Sequence, residues 1–139
     1  MDVSEQNQTE VSTQLNIDFK KLLKIGSSGE NVIPVVVQNA VTKEVLIVAY
    51  ANDEAVSETF RLGEAVFYST SRKELWHKGA TSGDILAVQE IRINCEQNSL
   101  LYLVIPKGQG ACHTKDASGK YRSSCYYRTV LDTGELKFV

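Results

Sequence analysis

The most constraining feature of this sequence is a succession of short β-branched runs separated by polar turns. Val32–Val37 and Val45–Tyr50 are joined through Thr42-Lys43-Glu44, a pattern that predicts a β-hairpin. Pro34 has no amide proton for a ladder bond, which predicts an edge strand or a bulge in the first run. Ala65–Thr70 predicts a third strand. Leu86–Ile93 alternates on Leu86 and Val88 and then shifts phase to Ile91 and Ile93, so a bulge is expected near Gln89-Glu90. Glu96-Gln97-Asn98 turns the chain into Leu100–Ile105. Cys125–Leu131 and Glu135–Val139 pair as a last hairpin around Asp132-Thr133-Gly134.

Two segments carry helical signals. Leu15, Phe19, Leu22 and Leu23 fall near helical spacing, predicting a short amphipathic helix over Leu15–Lys24 that Gly26–Gly29 ends. Asn52 is a suitable N-cap, Asp53 and Glu54 favour a first turn, and Gly63 suits the position after the last one. Residues 1–14 are polar, with only two valines beyond Met1, and read as a disordered tail. Residues 15–139 read as one α+β domain, mainly antiparallel sheet with two short helices.

Charge and composition narrow the partners. The chain carries 15 Lys+Arg and 17 Asp+Glu; Asp2, Glu5 and Glu10 in the tail leave 15 against 14, a near-neutral body. That is no general footprint for nucleic acid. The longest apolar stretch, Val45–Ala51, is far short of the ~20 residues of a helical membrane span. The first residues lack a basic flank followed by an apolar core, so no secretion signal is read and a cytoplasmic location is expected. An odd number of cysteines, three, then suggests thiols or metal ligands rather than a disulfide framework.

Those cysteines, Cys95, Cys112 and Cys125, have 16 and 12 residues between them and lack the paired knuckles of structural zinc sites. Each falls at a strand end or in the glycine-bearing loop over Lys107–Ser124 rather than within an apolar run. Three thiolates would leave zinc an open fourth position, as in catalytic sites, and would lower the pKa of bound water to about 7. Three unrelated thiols remain the alternative at this point. His113, directly after Cys112, suits a ligand or a proton shuttle, or else a loop histidine bonded to backbone. Trp76-His77-Lys78-Gly79 and Thr81-Ser82-Gly83 gather an aromatic, a cation, two hydroxyls and two glycines, which would suit a phosphorylated nucleotide or an ordinary exposed turn. Arg72 and Lys73 could extend a phosphate patch.

The wording of these motifs goes further. Asn31–Gln38, Phe67-Tyr68-Ser69, Glu74–Gly79, Thr81-Ser82-Gly83, Gly110–Thr114 and Ser124–Arg128 together resemble the phosphoribosyl-AMP cyclohydrolases of histidine biosynthesis, over roughly residues 15–130. The resemblance implies zinc-dependent hydrolysis of the N1–C6 bond of the adenine ring of phosphoribosyl-AMP. It implies Cys95, Cys112 and Cys125 as zinc ligands shared across a homodimer, with Cys95 from one subunit and the other two from its partner. His113 becomes the acid–base candidate, and Arg72, Trp76, His77, Lys78, Thr81, Ser82 and Gly83 the substrate contacts.

Two departures from that pattern stand out. The family usually reads Asp-Cys-Asp-x-Asp around the first cysteine, its aspartates binding magnesium; here the stretch is Asn94-Cys95-Glu96-Gln97-Asn98. The local carboxylate charge falls from −3 to −1, which predicts a weakened or lost magnesium site, because magnesium relies on hard oxygen donors and their charge. The loop between Cys112 and Cys125 is also about six residues longer than usual, an insertion that costs little stability. It could bring Lys115, Lys120 and Arg122 to a ligand. The lost aspartates keep open a second reading, a divergent relative acting on or binding another purine nucleotide.

Overall fold

In the computed structural model, which describes residues 8–139, the β-branched runs assemble into a four-stranded sheet. Its strands are β1 (Ile33–Asn39), β2 (Val45–Ala51), β5 (Leu86–Ile93) and β6 (Leu100–Pro106), in the order β2-β1-β6-β5. The β1–β2 and β5–β6 pairs are antiparallel, and β1–β6 is parallel. The β5–β6 register shifts between Val88 and Glu90, where the change of apolar phase predicted a bulge.

Pro34 corrects an expectation. Its strand is central rather than at an edge, and the bulge in β1 lies at Val37/Gln38. The parallel register with β6 begins only at Val35, so proline stands one residue before the inner ladder and breaks none of it.

Alternation sends Val35, Val37, Ala49, Ala51, Tyr102 and Val104 to one face, where all are buried. That face is covered by β3 (Val66–Ser69), β4 (Glu74–His77) and helix α2 (Asp53–Leu62). Phe67 stacks on Tyr102 with ring centroids 6.0 Å apart. The buried Thr59 hydroxyl lies 2.8 Å from Ala55 O and accepts from Val66 N at 3.1 Å, tying α2 to β3. The caps of α2 are as the sequence indicates: Asn52 Oδ1 accepts from Ala55 N, and Gly63 adopts φ +69°. The opposite sheet face is covered only in part: Leu103 is buried there, Val36 and Leu101 are half-buried, and Val48 is 41% exposed.

The first predicted helix is displaced. Helix α1 spans Lys21–Ser27 rather than Leu15–Lys24. Residues 13–15 instead run beside the C-terminal hairpin of β7 (Arg128–Val130) and β8 (Leu136–Phe138), with Leu15 N donating to Gly134 O and Leu136 N to Thr13 O. Asp18 then accepts from Lys20 N and starts the turn into α1. Residues 8–11 are helical too, so the described residues hold three helical segments rather than two. The expected tail at 1–14 lies outside the described residues up to residue 7; from residue 8 onward it packs on the hairpin. No helix among the described residues is long and apolar enough to cross a membrane.

Candidate metal and nucleotide site

The long loop after β6 folds back on itself. Ala111 N donates to Ser123 O, Cys112 N to Arg122 O and Arg122 N to Thr114 O, which zips its two legs together. Gly110 is required where the legs meet, since a Cβ there would lie 2.4 Å from Arg122 O. Cys125 N donates to Leu46 O, and Ser124 Oγ donates to Val45 O at 2.7 Å, pinning the second leg to β2. The result brings Cys112 and Cys125 side by side, although 12 residues stand between them.

The pair is electrostatically polarised. Hydrogen bonding by the Cys125 thiol is the largest influence on Cys112, assisted by the Thr114 hydroxyl and amide, and holds it down at about 5, against the opposing effect of burial. Cys125 is held above the usual thiol range, first by the same bond and then by burial, with Lys78 pulling the other way. Cys112 Sγ lies 2.9 Å from Thr114 Oγ1 and accepts from Thr114 N at 3.5 Å. A sulfur with thiolate character beside a second thiol is the donor chemistry zinc takes.

Cys95 is elsewhere. It is exposed in the turn between β5 and β6, and no group of three His, Cys, Asp or Glu side chains converges among the described residues. Around it, Asn94 Oδ1 accepts from Asn98 N and Ser99 N, both at 2.9 Å. Asn94 Nδ2 donates to Asn98 Oδ1 at 2.7 Å, and Asn98 Nδ2 donates to Glu96 Oε2 at 3.1 Å. Amide protons therefore stand where a cation would need bare oxygens. These three residues do not fit magnesium.

The Trp76–Gly83 stretch, for which the sequence left open a nucleotide-binding segment or an exposed turn, starts as strand β4. Phe67↔Trp76 pairing makes it so, with ring centroids 5.5 Å apart. His77 Nε2 meets Glu64 Oε1 at 2.8 Å. Lys78 is only 7% exposed, and its ammonium stands 6.0 Å from the Trp76 ring centroid. Gly79 at φ +82° turns the chain so tightly that a Cβ would fall 2.3 Å from the Asp84 carbonyl carbon. Thr81, Ser82 and Gly83 are exposed beyond it. Buried Asp84 accepts from Gln109 N at 2.8 Å, locking this turn to the cysteine loop. Arg72 sits at the opposite end of the β3–β4 hairpin, 3.6 Å from Glu74.

Over residues 47–127 the sequence matches the family model described as phosphoribosyl-AMP cyclohydrolase. The chain belongs to that family. Phosphoribosyl-AMP cyclohydrolase of Archaeoglobus fulgidus is 52% identical over 101 residues, covering 73% of this chain and 87% of the relative. That of Lacticaseibacillus casei is 50% identical over 104 residues, 75% of this chain and 88% of the relative. A longer relative from Halalkalibacterium halodurans, named histidine biosynthesis bifunctional protein HisIE, is 50% identical over 102 residues, 73% of this chain but 45% of its own length.

Asp84, Thr114 and Glu10 also shape the site, and sequence reasoning gave none of them a role; Arg122 it named only as a cation that the longer loop could bring to a ligand. Arg122 is the informative case. The inserted loop is closed on itself by Asp116, whose Oδ1 accepts from Ser118 N, Ser118 Oγ and Lys120 N. Lys115 lies over the Tyr121 ring at 5.0 Å. Only Arg122 reaches inward, its guanidinium 4.0 Å from the Tyr127 ring centroid. His113 is exposed and pairs with Glu10, Nε2 to Oε1 at 2.7 Å.

Proposed function

We propose that this protein hydrolyses the N1–C6 bond of the adenine ring of phosphoribosyl-AMP in histidine biosynthesis, using zinc held between two copies of the chain. The adjacent Cys112 and Cys125 carry the reading: two ligands lie together, and the third, Cys95, can join them only from a second copy. The open part of that sheet face supports such a pairing, with a pocket of about 410 Å³ lined by Val36, Arg92, Ile93 and Leu101 beside the Cys95 turn. When bound, zinc supplies a water acidic enough to attack at neutral pH.

The chain's own residues do the rest. Lys78, buried near Cys125, offers its cation to the substrate, and Trp76 offers a ring face beside it. His77, Thr81, Ser82 and Gly83 complete the proposed substrate contacts, while Arg72, at the opposite end of the β3–β4 hairpin, lies apart from them. His113, next to a ligand, moves a proton to or from the opening ring. Magnesium has no part in this reading. A biosynthetic enzyme of this kind works in the cytoplasm.

The test is a spectrophotometric assay of ring opening by the zinc-loaded chain, with Cys95→Ala and Cys112→Ala variants. Each variant alone is expected to be inactive. Refolded together, half the dimers are mixed and each rebuilds one of two sites, so about a quarter of wild-type activity returns. No recovery on mixing would sink the shared site. No turnover by the wild type would move the reading to another purine nucleotide.

A further inference from the structure

The N-terminal segment is not idle beside the site. Tyr127 Oη donates to Glu10 O at 2.6 Å, and Arg128 Nη1 donates to Thr9 O at 2.9 Å and Ser12 O at 3.0 Å. Gln14 bridges to Glu135, and Leu15 N donates to Gly134 O. Tyr127 is buried and lies two residues from Cys125, so this strap is fastened to the second leg of the cysteine loop. The fastening uses main-chain carbonyls, which leaves the Glu10 side chain free to reach His113 on the first leg, Oε1 to Nε2 at 2.7 Å.

A carboxylate only accepts, so Nε2 carries the proton and Nδ1 is left as the accepting nitrogen of the neutral ring. Carboxylate–histidine pairs of this kind fix the tautomer and the ring plane of an imidazole that works beside a metal. His113 needs such support because its side chain is 73% exposed and otherwise unrestrained, whereas that of Glu10 is 23% exposed. Glu10 lies outside residues 47–127, the part matched to the family.

We infer that Glu10 is a positioning residue, supplied by the N-terminal strap, that sets the tautomer and orientation of His113 for the reaction. This rests on the catalytic reading of His113, and the experiment separates the two. The full chain, loaded with zinc, is compared with Glu10→Ala, Glu10→Asp and His113→Ala by steady-state kinetics on phosphoribosyl-AMP. Imidazole ¹⁵N shifts are recorded at about pH 8, where free imidazole is neutral. The expected result is a kcat about tenfold lower in Glu10→Ala with KM nearly unchanged, and partial recovery in Glu10→Asp. The His113 spectrum should pass from the Nε2–H tautomer to a mixture, while His77, paired with Glu64, stays as it was. A structural role alone would leave that spectrum unmoved. Wild-type kcat and an unchanged His113 spectrum in Glu10→Ala, with activity lost in His113→Ala, would overturn this inference alone. Wild-type kcat in His113→Ala would overturn the catalytic reading and this inference with it.

Discussion

Arg122 donates to Thr114 Oγ1 at 3.0 Å, and the same hydroxyl stands 2.9 Å from Cys112 Sγ. Arginine has no acceptor, so the hydroxyl proton stays available, and a sulfur held toward its thiolate form takes it as acceptor. The cation stacked on Tyr127 thereby orients a proposed zinc ligand through one intermediary. Removing the hydroxyl in Thr114→Val should weaken zinc binding about tenfold, read by competition with a chromophoric chelator. Arg122→Met should give a smaller loss in the same direction. Unchanged affinity in both would mean that the relay does not hold Cys112.

The Asn94–Asn98 amide pair makes a second expectation concrete. A turn closed by its own hydrogen bonds gains nothing from a divalent ion, so millimolar magnesium should leave the wild-type melting temperature where it is. Asn94→Asp with Asn98→Asp places three carboxylates together and removes the amide donors. That variant should melt lower in chelator and recover with magnesium, at about 4 °C per kcal/mol for a chain of this size. A wild-type melt raised by magnesium would contradict the lack of fit.

Gly79 and Gly119 have nearly the same backbone, φ +82° and φ +84°, in different surroundings. Alanine at either meets the left-handed penalty of about 1–2 kcal/mol. At Gly119 nothing lies within 4 Å of the added Cβ, whereas at Gly79 it strikes the Asp84 main chain at 2.3 Å. Denaturant titration should therefore show Gly79→Ala as clearly the worse, with a loss well beyond that of Gly119→Ala. Equal losses would mean that the Gly79–Asp84 approach is relaxed at little cost.

Val48 tests the proposed assembly. It is exposed on the open part of that sheet face, so Val48→Lys should leave the monomer's fold intact while burying a charge in any face-to-face dimer. Light scattering after size exclusion should show a folded monomer with little activity. A variant that stays dimeric and active would place the interface elsewhere.

Much of the fold was legible because local physics decides it. The hairpin of β1 and β2, the bulge before Glu90, the Asn52 cap and Gly63 all depend on residues close in sequence, where alternation, capping and the left-handed tolerance of glycine act directly. The family, too, was legible from motifs that keep their order. What sequence could not decide was whatever depends on a distant partner. Leu15–Lys24 has a helical period, yet residues 13–15 are held beside the C-terminal hairpin by the Leu15–Gly134, Thr13–Leu136 and Gln14–Glu135 pairings, so the helix starts only after the Asp18 turn. Trp76 lies in a strand because Phe67 pairs with it, and Pro34 is tolerated in a central strand because β6 starts one residue later. The same division runs through the site. The sequence named three thiols and two histidines. Tertiary structure alone set Cys112 beside Cys125, kept Cys95 apart and brought Glu10 to His113, since chain closure over 12 or 100 residues is governed by packing and ladder bonds that no local pattern encodes.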